Sequence, residues 1–347
     1  METGILLLNF GEPESATPEA VVPFLERIFA TNMSLEAHLP AEAARARVRQ
    51  LAEERAPGLI EEYESIGGSP LNRQARGQAD ALEAELVRRG HAVRCYVAYQ
   101  FADPLIADVV RRAREDGVGR LVGLPVYPLA GPSTTVAALE DFRRAVAEAR
   151  WDVPVGEVGG WHGHPHFTAM WADRVRETAA GAGVALDDPR VRLIFSVHGT
   201  PMKYIEEGSR YVEYAEAACA AVAAAVGAGD YRIGYQNHTN RPVAWTRPDV
   251  EAVIEEVDAD HVVVVPIAFM REQSETLAEL DHELREAAES RGLAFHRVPV
   301  PHDDPRLAAL LADVVEPLLT AAGAGAGAPR RCRCRPGAHC LSGASLD

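Results

Sequence analysis

Eight short β-rich runs alternate with longer Ala-rich helical patterns, and this alternation constrains the chain more than any other feature. The runs lie at 4–10, 93–99, 120–127, 153–158, 191–197, 231–236, 261–269 and 295–300. Helical patterns fall between them at Ala75–Arg89, Leu105–Asp116, Val136–Arg150, Phe167–Ala180, Tyr211–Val226 and Arg247–Val257. Strands connected through helices pair in parallel, and parallel sheets are covered on both faces. Four runs precede residue 160 and four follow it. The halving predicts an α/β fold of two doubly wound units, 1–160 and 161–300, hinged near Gly159-Gly160-Trp161. A final helix at Leu307–Thr320, within 301–320, is expected to pack back on the first unit, and 321–347 reads as an Ala/Gly linker and a Cys/Arg tail.

At 347 residues with 51 Asp and Glu against 35 Lys and Arg, the chain carries a net charge of −16. That balance argues against a general nucleic-acid binder and suits cationic ligands better. Five cysteines in such a length are too few for a disulfide framework, and no stretch is long and apolar enough for a signal or a membrane span. The expectation is a cytoplasmic protein, touching a membrane at most peripherally. Nucleotide and zincin chemistry lose support, because GxxxxGK[ST], GxGxxG after the first strand, GxSxG and HExxH are all missing.

In open α/β sheets function resides just past the carboxyl ends of strands. VRLIFSVHGTP puts His198 there, an imidazole able to take protons near neutral pH, with a packed loop histidine as the alternative. HVVVVPIAFMREQSETLAELDHELREA leads into a helix with Glu272, Glu275, Glu279, Glu283 and Glu286 spaced by threes and fours. Such a stripe could pass cations or protons along, although with Leu277, Leu280 and Leu284 opposite it also fits an ordinary amphipathic helix with a solvated face. LPVYPLAGPSTT offers Ser133 and Thr134 as caps of the next helix or as part of an anion site. His162, His164 and His166 in WHGHPHF fit the start of a helix better than a metal site, since no carboxylate or Cys completes the set.

Taken in order, LLLNFGEPE, FLERIFATNMSLE, EYESIGGSPLNRQ, LPVYPLAGPSTT, FSVHGTPMKYIEEG, YQNHTNRPVAWTRP and VVVVPIAFMREQSETLAELD resemble the ferrochelatase family over roughly residues 4–320. The resemblance implies the chelatase fold: two Rossmann-like halves with a porphyrin cleft between them. It implies an enzyme that inserts Fe²⁺, a substrate, into a porphyrin, with the release of two protons. His198 and Glu275 match the family's catalytic pair, and His198, Glu275 and Glu279 would meet the incoming iron. Phe10, Ser133, Thr134 and Trp245 match the porphyrin pocket; Phe24, Ile28, Phe29, Met33 and Leu35 match an apolar lip that lies within 24–69.

The lip favours protoporphyrin IX, with coproporphyrin III as the alternative. Three positions depart from the pattern. Phe10 cannot ligate iron, Gln273 stands where some relatives have histidine, and Gln100-Phe101 replaces an Arg-Tyr pair that contacts porphyrin carboxylates in some relatives. A sirohydrochlorin cobaltochelatase would want a second metal-binding histidine beside His198. A two-domain binder of the periplasmic type would want an export signal.

The tail RRCRCRPGAHC places Cys332, Cys334 and Cys340 close together after the linker. Three near thiols in a reducing compartment suggest metal or cluster binding, and by resemblance to cluster-bearing ferrochelatases the expectation is a [2Fe–2S] cluster. The usual mid-chain ligand position falls near Met170, which supplies no thiolate.

Overall fold

The computed structural model describes residues 2–36, 39–237, 243–319 and 338–342, with the side chains from 32 to 36 outside that description. Strands β1 (Thr3–Asn9), β2 (Val93–Tyr99), β3 (Arg120–Pro125) and β4 (Val155–Glu157) form a parallel sheet in the order β2-β1-β3-β4. Strands β5 (Val191–His198), β6 (Tyr231–Gln236), β7 (His261–Val265) and β8 (Ala294–Arg297) form a second, in the order β6-β5-β7-β8. The expected doubly wound α/β class is therefore present twice, each sheet flanked by helices. Each sheet reverses its winding between its first and third strands, β1 and β3 or β5 and β7, which opens a crevice at their carboxyl ends.

Successive strand residues point to opposite faces, so each apolar run feeds two layers. Ile5 and Leu7 join Leu193, Phe195, Val263 and Val265 in one continuous core that belongs to both sheets. Leu6 and Leu8 face helices α4 (Ile106–Glu115) and α5 (Ala137–Glu148), while Ile194, Val262 and Val264 face α9 (Val250–Glu256) and α10 (Arg285–Ser290). The shared layer is filled by α3 (Leu71–Arg88), α6 (Pro165–Ala182), α8 (Tyr211–Val226) and α11 (Pro305–Leu319). Helix α11 packs on α3 and α6, and Arg89 ties it down through Asp313 at 2.6 Å and Glu316 at 2.9 Å.

The segment between the halves is no open linker. Trp161 is fully buried, and its indole donates to Pro125 O at 3.2 Å. His164 starts α6 as its N-cap, accepting from His166 N at 3.1 Å and pairing with Asp313 at 3.1 Å. His162 is buried beside Tyr214, and burial presses its pKa down to about 4. The three histidines therefore build a helix start.

Two long helices occupy the stretch read as a lip, α1 (Pro18–Glu36) and α2 (Ala41–Ser65). Phe24 is buried with Val21, Leu25, Tyr63 and Phe101 in their own core, so it is not a lip residue. Phe29 packs half-buried at the margin of that core. The Met33 and Leu35 side chains lie outside the described residues. Among the described residues no helix is long and apolar enough to cross a membrane.

The cluster expectation requires correction. Residues 338–342 run beside β4: His339 N donates to Glu157 O at 2.8 Å, Gly159 N to His339 O at 2.7 Å and Leu341 N to Gly160 O at 2.9 Å. This pairing buries Cys340, whose Sγ accepts from Ser342 N at 3.4 Å. Cys332 and Cys334 lie outside the described residues, as does the linker. Among the described residues no group of three or more His, Cys, Asp or Glu side chains is placed to hold a metal ion.

Candidate active site

The two crevices face each other, and the chemistry-bearing side chains cluster there. His198 is the last residue of β5. Gly199 allows the turn behind it, since a Cβ at that position would lie 2.7 Å from Gln236 O and collide with the Asn237 side chain. The imidazole Nδ1 donates to Gly199 O at 2.7 Å, which leaves Nε2 facing Glu275 Oε1 at 3.0 Å. Burial alone would lower the pKa of His198, yet the charge and hydrogen bond of Glu275, the Gly199 carbonyl and the Glu279 charge together lift it to about 9. The Glu275 contact thus favours the protonated imidazole.

Glu275 opens a π-helical segment, Glu275–Leu284, which passes into α10. Ten residues of i→i+5 winding is long for a form usually confined to one turn, and such bulges concentrate at functional sites. Glu279, half-buried, is pushed up to about 8 by burial and by the like charge of Glu275. Gln236 Nε2 holds both, donating to Glu275 O at 2.9 Å and to Glu279 Oε2 at 3.0 Å. Glu283 and Glu286 are exposed. His198, Glu275 and Glu279 do not amount to a preformed metal chelate.

The five-glutamate stripe therefore shortens to Glu275 and Glu279 at the site, and Glu272 leaves it altogether. Its carboxylate is buried, accepting from Arg297 at 2.9 and 3.0 Å, Val300 N at 3.0 Å and Thr276 Oγ1 at 2.7 Å. This pair anchors the start of the π-helix to β8. Arg297→Met should destabilise the protein by about 3 kcal/mol, because it strands a buried carboxylate. Urea unfolding of the variant measures this, and an unchanged midpoint would mean that Glu272 is held by its other donors alone. Leu277 also departs from expectation: it lines a cavity of about 390 Å³ with Tyr63, Ser69 and Arg73.

Glu12, missed in the sequence, completes the arrangement from the first sheet. Its buried carboxylate accepts from Ser274 Oγ at 2.7 Å, Ser274 N at 3.3 Å, Tyr63 OH at 3.2 Å and Ser69 Oγ. Desolvation raises its pKa to about 6 against these donors. One carboxylate thus fixes α2, the turn after β1 and the residue preceding Glu275. The only sequence signal is an acidic residue at a strand end between Gly11 and Pro13.

The remaining predicted residues gather around the cleft by different routes. Ser133 and Thr134 sit in a π-helical turn, Pro132–Val136, ahead of α5, with Ser133 exposed and Thr134 Oγ1 donating to Gly131 O at 3.4 Å. They do not act as side-chain caps of α5. Gly131 abuts the Tyr211 ring, and Tyr211 OH donates to His198 O at 3.0 Å, which links this turn to the catalytic strand end. Trp245 pairs with Pro201 in an isolated antiparallel bridge, beside the loop that follows His198. Phe10 packs on Phe101 with centroids 4.6 Å apart and rings tilted by 58°, and meets Phe24 edge-on at 6.0 Å, forming an aromatic wall.

With this geometry established, comparison with known proteins is direct. A model of the ferrochelatase family matches residues 2–318. A ferrochelatase of Synechococcus sp. (strain JA-3-3Ab) is 38% identical over 336 residues, covering 93% of this chain and 96% of the relative. A coproporphyrin III ferrochelatase of Mycolicibacterium smegmatis is 32% identical over 323 residues, covering 91% and 89%. The crystal structure of the sirohydrochlorin chelatase SirB from Bacillus subtilis subspecies spizizenii aligns with a TM-score of 0.53 over 92% of this chain and 96% of that one, at 10% identity, and so speaks for the fold alone. The chain belongs to the ferrochelatase family, chelatases that insert a metal ion into a tetrapyrrole.

Proposed function

We propose that the chain inserts Fe²⁺ into protoporphyrin IX, with His198 and Glu275 as the catalytic pair. The observation that carries the chemistry is the 3.0 Å His198–Glu275 contact at the mouth of two opposed crevices, backed by a half-buried second carboxyl. Metal insertion must remove two pyrrole protons, so a group that accepts them has to stand beside the ring. At rest His198 holds a proton; an arriving dication disfavours the imidazolium and drives that proton onto the carboxyls. Glu275 takes it first and Glu279 leads it outward, which frees the imidazole to accept the two pyrrole protons in turn and pass them along the same carboxyls to solvent. The metal is met by oxygen and imidazole donors that do not enclose it, which suits a substrate that must be passed on.

The preference for protoporphyrin IX rests on the aromatic wall. Phe10, half-buried and backed by the buried Phe24 and Phe101, presents an apolar face, and the nearby Arg27 is already engaged by Phe101 O at 3.0 Å and Asp103 at 3.2 Å. Vinyl groups suit such a wall, whereas the extra carboxylates of coproporphyrin III would be desolvated without cations. The Mycolicibacterium relative supports coproporphyrin III as the second reading. Fe²⁺ insertion measured side by side should give kcat/KM about tenfold or more higher for protoporphyrin IX. The reverse preference would establish the second reading, and insertion of Co²⁺ into sirohydrochlorin alone would overturn both.

A further inference from the structure

Arg271 is buried to 5% exposure, and its Nε and Nη2 have no hydrogen-bond partner among the described residues. Its neighbours in sequence are otherwise engaged: Met270 O accepts from Gln78 at 2.8 Å, and Glu272 is committed to Arg297. An unpaired buried guanidinium is rare, because desolvating a cation without a counter-charge is strongly unfavourable. The groups near enough to act on it electrostatically are the phenols of Tyr127 and Tyr99, neither of which is a carboxylate.

The location is informative. Tyr99 ends β2, Tyr127 follows β3, and Arg271 follows β7. Carboxyl ends of strands from both sheets therefore converge on this cation. Tyr127 is itself close enough to Glu275 to feel its charge, so the cation lies within the catalytic neighbourhood. Tyr127 is half-buried, with its hydroxyl donating to Gln100 Oε1 at 3.1 Å.

We propose that Arg271, with Tyr127 beside it, is a carboxylate subsite that takes one peripheral carboxylate of the porphyrin substrate. This assignment rests on the porphyrin reading above and identifies a residue that orients the ring. A guanidinium pairs with a carboxylate through two parallel hydrogen bonds, which fixes direction as well as affinity. The cation remains unpaired in the empty enzyme, and its desolvation is offset on binding.

The test uses the full chain, protoporphyrin IX and its dimethyl ester in the same detergent, with binding followed by fluorescence quenching. Arg271→Met should weaken protoporphyrin IX by about 10- to 100-fold and leave the ester unchanged. Arg271→Lys should recover part of the loss. The melting temperature of substrate-free Arg271→Met should hold or rise, because a buried unpaired charge has been removed. Equal weakening of both porphyrins, unchanged binding of protoporphyrin IX, or a fall in melting temperature would overturn the subsite and make Arg271 a packing residue. If the unaltered chain binds neither porphyrin, the porphyrin reading fails and the subsite with it.

Discussion

His198→Ala should reduce metal insertion by about 10²- to 10⁴-fold while porphyrin still binds with close to its original affinity. The imidazole joins the strand end of β5 to the π-helix, through Gly199 O on one nitrogen and Glu275 on the other. Its removal takes away a proton carrier and leaves Glu275 without the cation that faces it. The porphyrin contacts assigned to the aromatic wall, to Trp245 and to the Ser133–Thr134 turn do not pass through that ring. Stopped-flow metal insertion paired with porphyrin quenching separates the two quantities. Near-normal turnover would remove His198 from the reaction, and loss of both turnover and binding would make it a structural residue.

Glu275→Gln should lower turnover by about 10²-fold or more and should change how stability depends on pH. The sign follows from proton binding. His198 has a folded pKa of about 9 against an ordinary 6.5, so the folded state holds the proton more tightly. That contribution is fully present below pH 6.5 and is lost as pH rises through 9. Without the Glu275 charge, burial dominates and the imidazole pKa falls. The parent protein should therefore lose more melting temperature between pH 6 and pH 9.5 than the variant does. Parallel melting curves would show that the two groups are not coupled. Glu283→Gln is the useful control, since that side chain is exposed and should affect turnover little.

The strands were legible because a parallel strand buried on both faces must be apolar throughout, and LLLN or VVVV announces that directly. That His198 and Glu275 would be worth pairing was legible for a related reason: both residues stand just beyond such strands, where open sheets place their chemistry. The π-helix was not, because its widened winding leaves no period in composition and ETLAELDHEL reads equally well as α-helix. Glu272 was misread as part of the stripe since its spacing to Glu275 is helical, while the partner that withdraws it, Arg297, lies 25 residues away. Glu12 was invisible for the same kind of reason. Its donors Tyr63, Ser69 and Ser274 lie 51, 57 and 262 residues along the chain, and only folding assembles them. Helix α2 carries Pro57 and charges on several sides, so its periodicity was too weak to read.

The apolar layer common to both sheets sets how the molecule can move. Swinging the halves apart would strip α11 from α3 or from α6 and return Leu310, Leu311 or Val314 to water, at about 1.5–3 kcal/mol for each large side chain exposed. Rigid-body gaping of the kind seen in hinged binding proteins is thereby suppressed, and both sheets should melt in one cooperative calorimetric transition. Helices α1 and α2 pack in a smaller core with the start of α3 and the end of β2, outside the layer that joins the sheets. A large planar guest must therefore be admitted by local movement rather than by parting of the two halves.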